Sequence, residues 1–116
     1  MTELILIRHG ETDWNRELRF QGQVDVPLNA TGLEQARRVA QRLLAERFGV
    51  EHLVCSDLLR TRQTADILFP KMHYTVVDGL IETDFGRFEG KSADELSGDP
   101  AYQAWVDAMC LTPIPE

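Results

Sequence analysis

The apolar residues of this chain fall into two patterns, short unbroken runs and longer segments with helical spacing. Runs of the first kind, mostly apolar and partly β-branched, occur at residues 4–7, 52–55 and 74–77. Short runs of this kind are typical of buried strands in a parallel sheet. Apolar residues recur at helical spacing over residues 33–44 and 58–68. The alternation of the two patterns predicts an α/β fold.

The longest helix is predicted between Thr31 and Gly49. Thr31 and Glu34 have the spacing of a capping box, in which each side chain binds the backbone N–H of the other residue. Gly49 stands where helices commonly end in a left-handed residue. The predicted apolar face of this helix consists of Leu33, Ala36, Ala40, Leu43 and Leu44.

Three further helices are predicted from caps and prolines. One begins at Ser56-Asp57 and is stopped by Pro70, which cannot continue a helix. Ser92 with Glu95 is a second capping-box pair, and Asp99-Pro100 begins the last helix because proline is favoured at the first helical position. The expected apolar faces are Leu58, Ala65 and Leu68 in the first of these helices, and Ala101, Trp105, Ala108 and Met109, flanked by Tyr102, in the last.

The chemistry of the chain concentrates where the first apolar run ends, at Arg8-His9-Gly10. A parallel strand delivers the residues that follow it to its carboxyl end, where open α/β sheets bind their ligands. Arginine carries a charged fork of donors that matches phosphate oxygens, and an imidazole beside it can act as acid, base or phosphoryl acceptor. Gly10 allows a sharp turn or the close approach of a ligand, and Asn15 adds a neutral donor. These residues alone also allow the alternative that Arg8 and His9 only cap a strand.

The sequence Arg8-His9-Gly10-Glu11-Thr12, followed by Asn15, resembles the signature of the histidine phosphatase superfamily, which includes cofactor-dependent phosphoglycerate mutases and many phosphatases. The resemblance implies a phosphoglycerate mutase-like fold, a three-layer α/β/α arrangement with a mostly parallel central sheet. It also implies that His9 is phosphorylated during turnover and that Arg8 stabilises the phosphoryl group. A second match, at Ser56, Arg60, Gln63, Thr64 and Ala65, implies that Arg60 grips the same group.

The loop over residues 80–90, after the third apolar run, contains three carboxylates, Glu82, Asp84 and Glu89. A protonated carboxyl group near a phosphoryl group can give its proton to a leaving alkoxide. Glu82 matches the family position of that acid, and Asp84 and Glu89 compete with it for the role. Without the resemblance, the three would be interpreted as carboxylates in a solvated loop.

Gln21 and Gly22 are the remaining candidates for substrate binding, together with Asn15. They lie in the segment Phe20-Gln21-Gly22, where a glycine would allow the backbone to approach a ligand closely. The local sequence predicts a surface turn equally well.

The second catalytic histidine of the family, which follows a late apolar strand in a Ser-His-Gly-like motif, has no counterpart in these 116 residues. In the family fold that strand lies beside the one that ends in Arg8 and His9. We therefore expect residues 1–116 to be a single, truncated histidine phosphatase domain that lacks the carboxyl-terminal part, with residues 113–116 beginning a connection. A second chain, for example in a homodimer, could supply the missing strand, because an exposed strand edge invites pairing.

Composition limits the partners that we expect. Twelve basic and nineteen acidic residues give a net charge of −7, and the lack of a contiguous basic block argues against nucleic-acid binding. Neither a signal peptide nor a membrane-spanning segment is predicted. Cys55 and Cys110 do not have the spacing of metal ligands or of a disulfide framework, and His52 and His73 are interpreted as strand-edge residues. We expect a cytoplasmic protein. We also expect that it needs no metal or cofactor, because arginines and imidazoles supply the positive charge.

The predicted function of the complete protein is hydrolysis of small phosphomonoesters through a phosphohistidine intermediate. One alternative is a phosphoglycerate mutase-type isomerase. The mutases have His-Tyr-Gly after the acidic residue and a basic, tyrosine-rich insertion, whereas this chain has Asp84-Phe85-Gly86 and no such insertion. This difference favours a phosphatase. A further alternative, since the second histidine is absent, is an inactive module that binds phosphorylated ligands.

Overall fold

The computed structural model describes residues 1–114, so the last two residues of the connection predicted over 113–116 lie outside the described range. Within this range, helices and short parallel strands follow one another, in keeping with the predicted α/β class. In chain order they are α1 (Asp13–Arg16), α2 (Ala30–Ala45), β1 (Val54–Cys55), α3 (Leu59–Leu68), β2 (Thr75–Val76), α4 (Ala93–Leu96) and α5 (Pro100–Asp107), with 3-10 turns at Asp78–Leu80 and Gly86–Phe88.

Strands β1 and β2 form a parallel pair connected by α3. The register places Val54 opposite Thr75 and Cys55 opposite Val76. The pairing continues beyond the strands, because the N–H of Val77 donates to the Cys55 carbonyl at 2.9 Å. The second and third predicted strands are thus confirmed, over fewer residues than the apolar runs that predicted them.

The first apolar run, by contrast, does not form the predicted buried strand. Residues 4–7 adopt no regular structure, and within the described residues their backbone forms no ladder with β1. Their side chains face solvent, with 77% of Leu4 and 84% of Leu6 exposed. The physical reason is that an apolar run favours an extended backbone, whereas a strand also needs a neighbour that binds its N–H and C=O groups.

The start of α2 corrects the predicted capping box. Asn29 is the N-cap, and its side-chain oxygen accepts the N–H of Gly32 at 2.8 Å. Thr31 already lies inside the first turn, so Thr31 and Glu34 do not form the box. The reason is a tertiary contact, because the Asn29 amide also donates to the Glu11 carboxylate at 2.9 Å and is held in the capping position. Asparagine is as good an N-cap as threonine.

The end of α2 also differs from the prediction. Arg47, with φ of 51°, takes the left-handed conformation expected of Gly49. The N–H of Arg47 donates to the Leu44 carbonyl at 3.1 Å and that of Phe48 to the Leu43 carbonyl at 2.9 Å, which is the pair of bonds that ends many helices. The helix therefore ends two residues earlier than Gly49 suggests.

The predicted apolar face of α2 is only partly buried. Ala36 is 3% exposed, but Leu44 is 79% exposed. Helix α3 packs against α2, and α3 has 10 residues whereas α2 has 16. At about 1.5 Å per residue, the shorter helix cannot cover the last turns of the longer one.

Helix α3 starts at Leu59, three residues after the predicted start at Ser56. Its own N-cap side chain makes no capping bond; instead Asp25 accepts the N–H of Leu59 at 2.6 Å. This cap comes from a distant segment, which local sequence does not show. Arg60 lies in the first turn, as predicted, and the helix ends before Pro70. The predicted apolar face, Leu58, Ala65 and Leu68, is buried.

An aromatic cluster forms the main apolar core of the described residues. Its buried members are Phe88, Leu96 and Trp105, and Phe20 and Phe85 pack against them. The ring centre of Phe20 lies 5.0 Å from that of Phe85 and 6.0 Å from that of Trp105. The cluster therefore joins the segment after α1 to the loop before α4 and to α5.

Helices α4 and α5 begin where the sequence predicts, at the caps Ser92 and Asp99. Trp105 is buried as expected, but Met109 is 78% exposed. The expectation for Met109 is wrong because α5 ends at Asp107 and Met109 has a left-handed φ of 56°, which takes it off the helical face. Among residues 1–114, the helices are too short or too polar to cross a bilayer.

Candidate active site

A cavity of about 240 Å³ brings together six of the seven predicted site residues. Its lining combines two guanidinium groups, an imidazole, a carboxylate, two amides and two phenyl rings. The lining residues are Arg8, His9, Asn15, Arg19, Phe20, Gln21, Gly22, Glu82 and Phe85. A small space with these groups suits a small anion with an apolar or neutral remainder.

His9 is held in one tautomer by its neighbour. Its Nδ1 lies 2.6 Å from the Gly10 carbonyl oxygen. A carbonyl can only accept, so Nδ1 carries the proton and donates it. In the neutral ring, Nε2 is then left with the free electron pair.

The surroundings of His9 favour this neutral form. Burial lowers the pKa of His9 below the ordinary imidazole value of 6.5, and the positive charges of Arg60 and Arg8 act in the same direction. The hydrogen bond to Gly10 and the Glu82 carboxylate oppose the change without cancelling it. At neutral pH the ring is therefore mainly uncharged and available as a nucleophile.

The loop that carries His9 is fixed against α2 and α3. The N–H of Gly10 donates to the Thr64 hydroxyl at 3.2 Å, and that hydroxyl donates to the Arg60 carbonyl at 2.8 Å. A Cβ on Gly10 would lie 2.5 Å from the backbone oxygen of Gly32. Glycine is thus required here because two backbones meet, which is a different reason from the ligand contact or sharp turn suggested by the sequence.

Thr12 orients the two amides of the cavity. Its backbone N–H donates to the Asn15 side-chain oxygen at 3.0 Å. Thr12 is 0% exposed, and its hydroxyl contacts the Gln21 side-chain oxygen. Because both amide oxygens are occupied by Thr12, the amide nitrogens of Asn15 and Gln21 remain as donors for an anion.

Arg60 lies behind the cavity and is not part of its lining. The side chain is 1% exposed, and it donates to the carbonyls of Gly22 at 2.6 Å and Val24 at 2.8 Å. Its Nε has no hydrogen-bond partner among the described residues. Burial lowers the pKa of Arg60, and the carboxylates of Glu82, Asp25 and Glu89 oppose this. The charge of Arg60 thus acts on the site, while its direct grip on a phosphoryl group stays a prediction.

Of the three candidate acids, only Glu82 lines the cavity. Its side-chain oxygen accepts the N–H of Thr83 at 2.8 Å. Asp84 accepts the N–H of Gly86 at 2.8 Å and shapes the local turn. Glu89 accepts the backbone N–H groups of Gln23 and Phe85, and its own side chain is not part of the lining. The geometry therefore favours Glu82 over its two competitors.

Three lining residues, Arg19, Phe20 and Phe85, were not candidates from the sequence. Arg19 donates to the Gly90 carbonyl at 2.6 Å and pairs with Glu17 at 2.6 Å. Nothing in the local sequence separates this arginine from the surface arginines of the chain. The spacing of the two phenylalanines likewise gives no sign that they meet.

Within residues 1–114, no group of three or more His, Cys, Asp or Glu side chains is arranged to hold a metal ion.

Comparison with known proteins gives matches over most of the chain. The sequence profile of the histidine phosphatase superfamily (branch 1) matches residues 4–116. A "probable phosphoglycerate mutase GpmB" of Enterobacter sp. (strain 638) is 44% identical over 101 residues, which are 85% of this chain and 46% of that protein. A protein of the same name from Serratia proteamaculans (strain 568) is 42% identical over 111 residues, 94% of this chain and 50% of that protein. The chain spans about half the length of these curated relatives.

Solved structures show the same fold. Phosphoserine phosphatase of Entamoeba histolytica, crystallised with 3-phosphoglyceric acid, superposes with a TM-score of 0.80 and 30% identity, over 93% of this chain and 53% of that one. The alpha-ribazole phosphatase of Shigella flexneri superposes with a TM-score of 0.79 and 30% identity, over 87% of this chain and 51% of that one. The predicted α/β fold is therefore confirmed, with about half the length of these neighbours.

Proposed function

Because the chain belongs to the histidine phosphatase superfamily, branch 1, we propose that the protein containing it hydrolyses small phosphomonoesters through a phosphohistidine on His9. The observation that carries this proposal is that Arg8, His9 and Glu82 line one cavity. A nucleophile, a fixed positive charge and a carboxyl group are the parts that phosphoryl transfer requires.

In the first step, Nε2 of neutral His9 attacks phosphorus in line with the ester oxygen. The N–P bond forms as the O–P bond breaks, and the leaving oxygen takes a proton from the Glu82 carboxyl group. Arg8 and the amide donors of Asn15 and Gln21 stabilise the charge on the other phosphoryl oxygens. Arg60, buried behind Gly22, adds positive potential.

In the second step, the Glu82 carboxylate takes a proton from water, and the water oxygen attacks phosphorus. The N–P bond breaks and the electron pair returns to Nε2. Inorganic phosphate leaves, and both His9 and Glu82 regain their starting protonation states. The bond between Nδ1 and Gly10 keeps the same ring nitrogen available in each cycle.

The test uses the product of the complete reading frame that contains these residues, since the chain spans about half of its curated relatives. Incubated with a radiolabelled phosphomonoester, the protein should release phosphate and carry label on His9. His9→Ala should lower turnover by about 10³-fold or more and remove the label. His73→Ala is the matched control, because His73 is exposed and does not line the cavity. Label or turnover retained by His9→Ala would overturn the proposal.

A second candidate, the mutase, is favoured by the names of the curated relatives, which are called probable phosphoglycerate mutases. Incubation with 3-phosphoglycerate and a bisphosphate primer separates the two activities. Phosphate release without isomerisation supports the phosphatase, and isomerisation overturns it in favour of the mutase. Ligand binding with neither reaction would identify an inactive binding module. The reading frame beyond residue 116 gives a cheap check, because a strand that ends in Ser-His-Gly would favour an enzyme.

A further inference from the structure

Glu89 joins the two loops that bring polar groups to the cavity. Its Oε1 accepts the N–H of Gln23 at 3.0 Å and the N–H of Phe85 at 3.3 Å. Gln23 follows the Gln21-Gly22 segment, and Phe85 follows the Glu82 segment. A single carboxylate oxygen therefore fixes the distance between the loop that offers amide donors and the loop that offers the acid.

The fit between Glu89 and the first loop is close. A Cβ on Gly22 would lie 2.1 Å from the Glu89 Oε1, and Gly22 has a left-handed φ of 53°. The left-handed backbone favours glycine at this position, and a side chain here would displace the Glu89 carboxylate. Gly22 also lines the cavity, so the contact with Glu89 adds to the ligand approach suggested by the sequence, which stays a prediction.

The link continues to Glu82 itself. The Gln23 side-chain amide donates to the Glu82 carbonyl at 3.2 Å. Residues 78–84, which follow β2, are all exposed, so burial contributes little to the position of this loop. Hydrogen bonds from the neighbouring loop therefore help to fix the backbone that carries the Glu82 side chain.

We propose that Glu89 is a positioning residue, which holds Glu82 in place for proton transfer to the leaving oxygen. The inference rests on the proposed phosphatase function and adds to it a residue outside the cavity. Glu89 does not exchange a proton with substrate, since both of its known contacts are backbone N–H groups that need its carboxylate as an acceptor.

The leaving group provides a readout that a general structural defect would not move. An alkyl ester needs a proton from Glu82 as its oxygen leaves, whereas p-nitrophenol is acidic enough to leave largely without one. Rapid-quench measurement of the first turnover, before water attacks the phosphoenzyme, isolates this step. The measured quantity is the ratio of the alkyl to the aryl phosphorylation rate in the full reading-frame product.

Glu89→Ala should lower this ratio by about tenfold or more, and Glu82→Gln by about 10²-fold or more. Glu89→Gln keeps an oxygen acceptor and should restore most of the ratio. Glu51→Ala is the matched control, because Glu51 is exposed and does not line the cavity. If Glu89→Ala does not fold by circular dichroism, Glu89→Met replaces it, because methionine keeps the length of the side chain without its carboxylate acceptor, and a lowered ratio is again expected.

The opposing results are distinct. Equal loss of both rates, or an unchanged ratio in the folded variant, would overturn the role of Glu89 and leave the phosphatase proposal intact. A wild-type protein without a first-turnover burst and without label on His9 would overturn both proposals together.

Discussion

Removal of the Phe88 ring should destabilise the fold and loosen one wall of the cavity. Phe88 is 0% exposed, and its ring centre lies 5.7 Å from that of Trp105 and 5.6 Å from that of Tyr102. Truncation of a buried phenylalanine to alanine costs about 3–5 kcal/mol, because transfer free energy is lost and the space is refilled only in part. Domains of this kind have about 5–15 kcal/mol of stability in total. The variant should therefore lose a large share of its free energy of unfolding.

Urea unfolding followed by tryptophan fluorescence measures this loss. Phe88→Ala should lower the midpoint strongly with little change in slope, whereas Phe88→Leu, which keeps more of the apolar volume, should cost less than Phe88→Ala. Leu44→Ala is the matched control, because Leu44 is 79% exposed and surface substitutions usually stay within about 0.5 kcal/mol. If Phe88→Ala cost no more than Leu44→Ala, the aromatic cluster would not be the core of this chain.

Three further predictions concern the site and its support. Arg8→Gln should raise the pKa of His9, because the Arg8 charge disfavours the protonated ring; histidine NMR titration measures this, and an unchanged or lowered value would contradict it. Gly10→Ala should cost about 1–3 kcal/mol in thermal unfolding, since its Cβ would meet a backbone oxygen at 2.5 Å; an unchanged melting temperature would show that the contact is not tight. Asn29→Ala should lower the free energy of unfolding by about 1 kcal/mol, because the N-cap of α2 is lost, and Thr31→Ala should lower it by less. A larger loss for Thr31→Ala than for Asn29→Ala would contradict Asn29 as the N-cap and favour Thr31, as predicted from the sequence.

The sequence predicted those residues of the candidate site that lie close to one another along the chain. Arg8 and His9 are adjacent, and Asn15 follows on the next helix, so their meeting needs little tertiary structure. Glu82 was predictable only through the family resemblance, because nothing local distinguishes it from Asp84. The structure separates the two by which side chain lines the cavity.

What sequence reasoning missed depends on contacts between distant segments. The cap of α3 comes from Asp25, and the cap of α2 is held by Glu11. The first apolar run was mispredicted for the same reason, because its structure also depends on a distant segment. Residues 4–7 have the composition of a buried strand, yet 84% of Leu6 is exposed, since burial depends on a partner that composition does not specify.

Thr12 has a consequence for how the cavity distinguishes ions by sign. Its main chain determines which end of the Asn15 amide is free, and its hydroxyl does the same for Gln21. An amide that rotates by half a turn exchanges a donor for an acceptor and would repel the anion that it now attracts. One small buried residue thus sets the polarity of two larger side chains, and a valine of the same shape would keep the packing and the main-chain bond to Asn15 while losing control over the amide of Gln21.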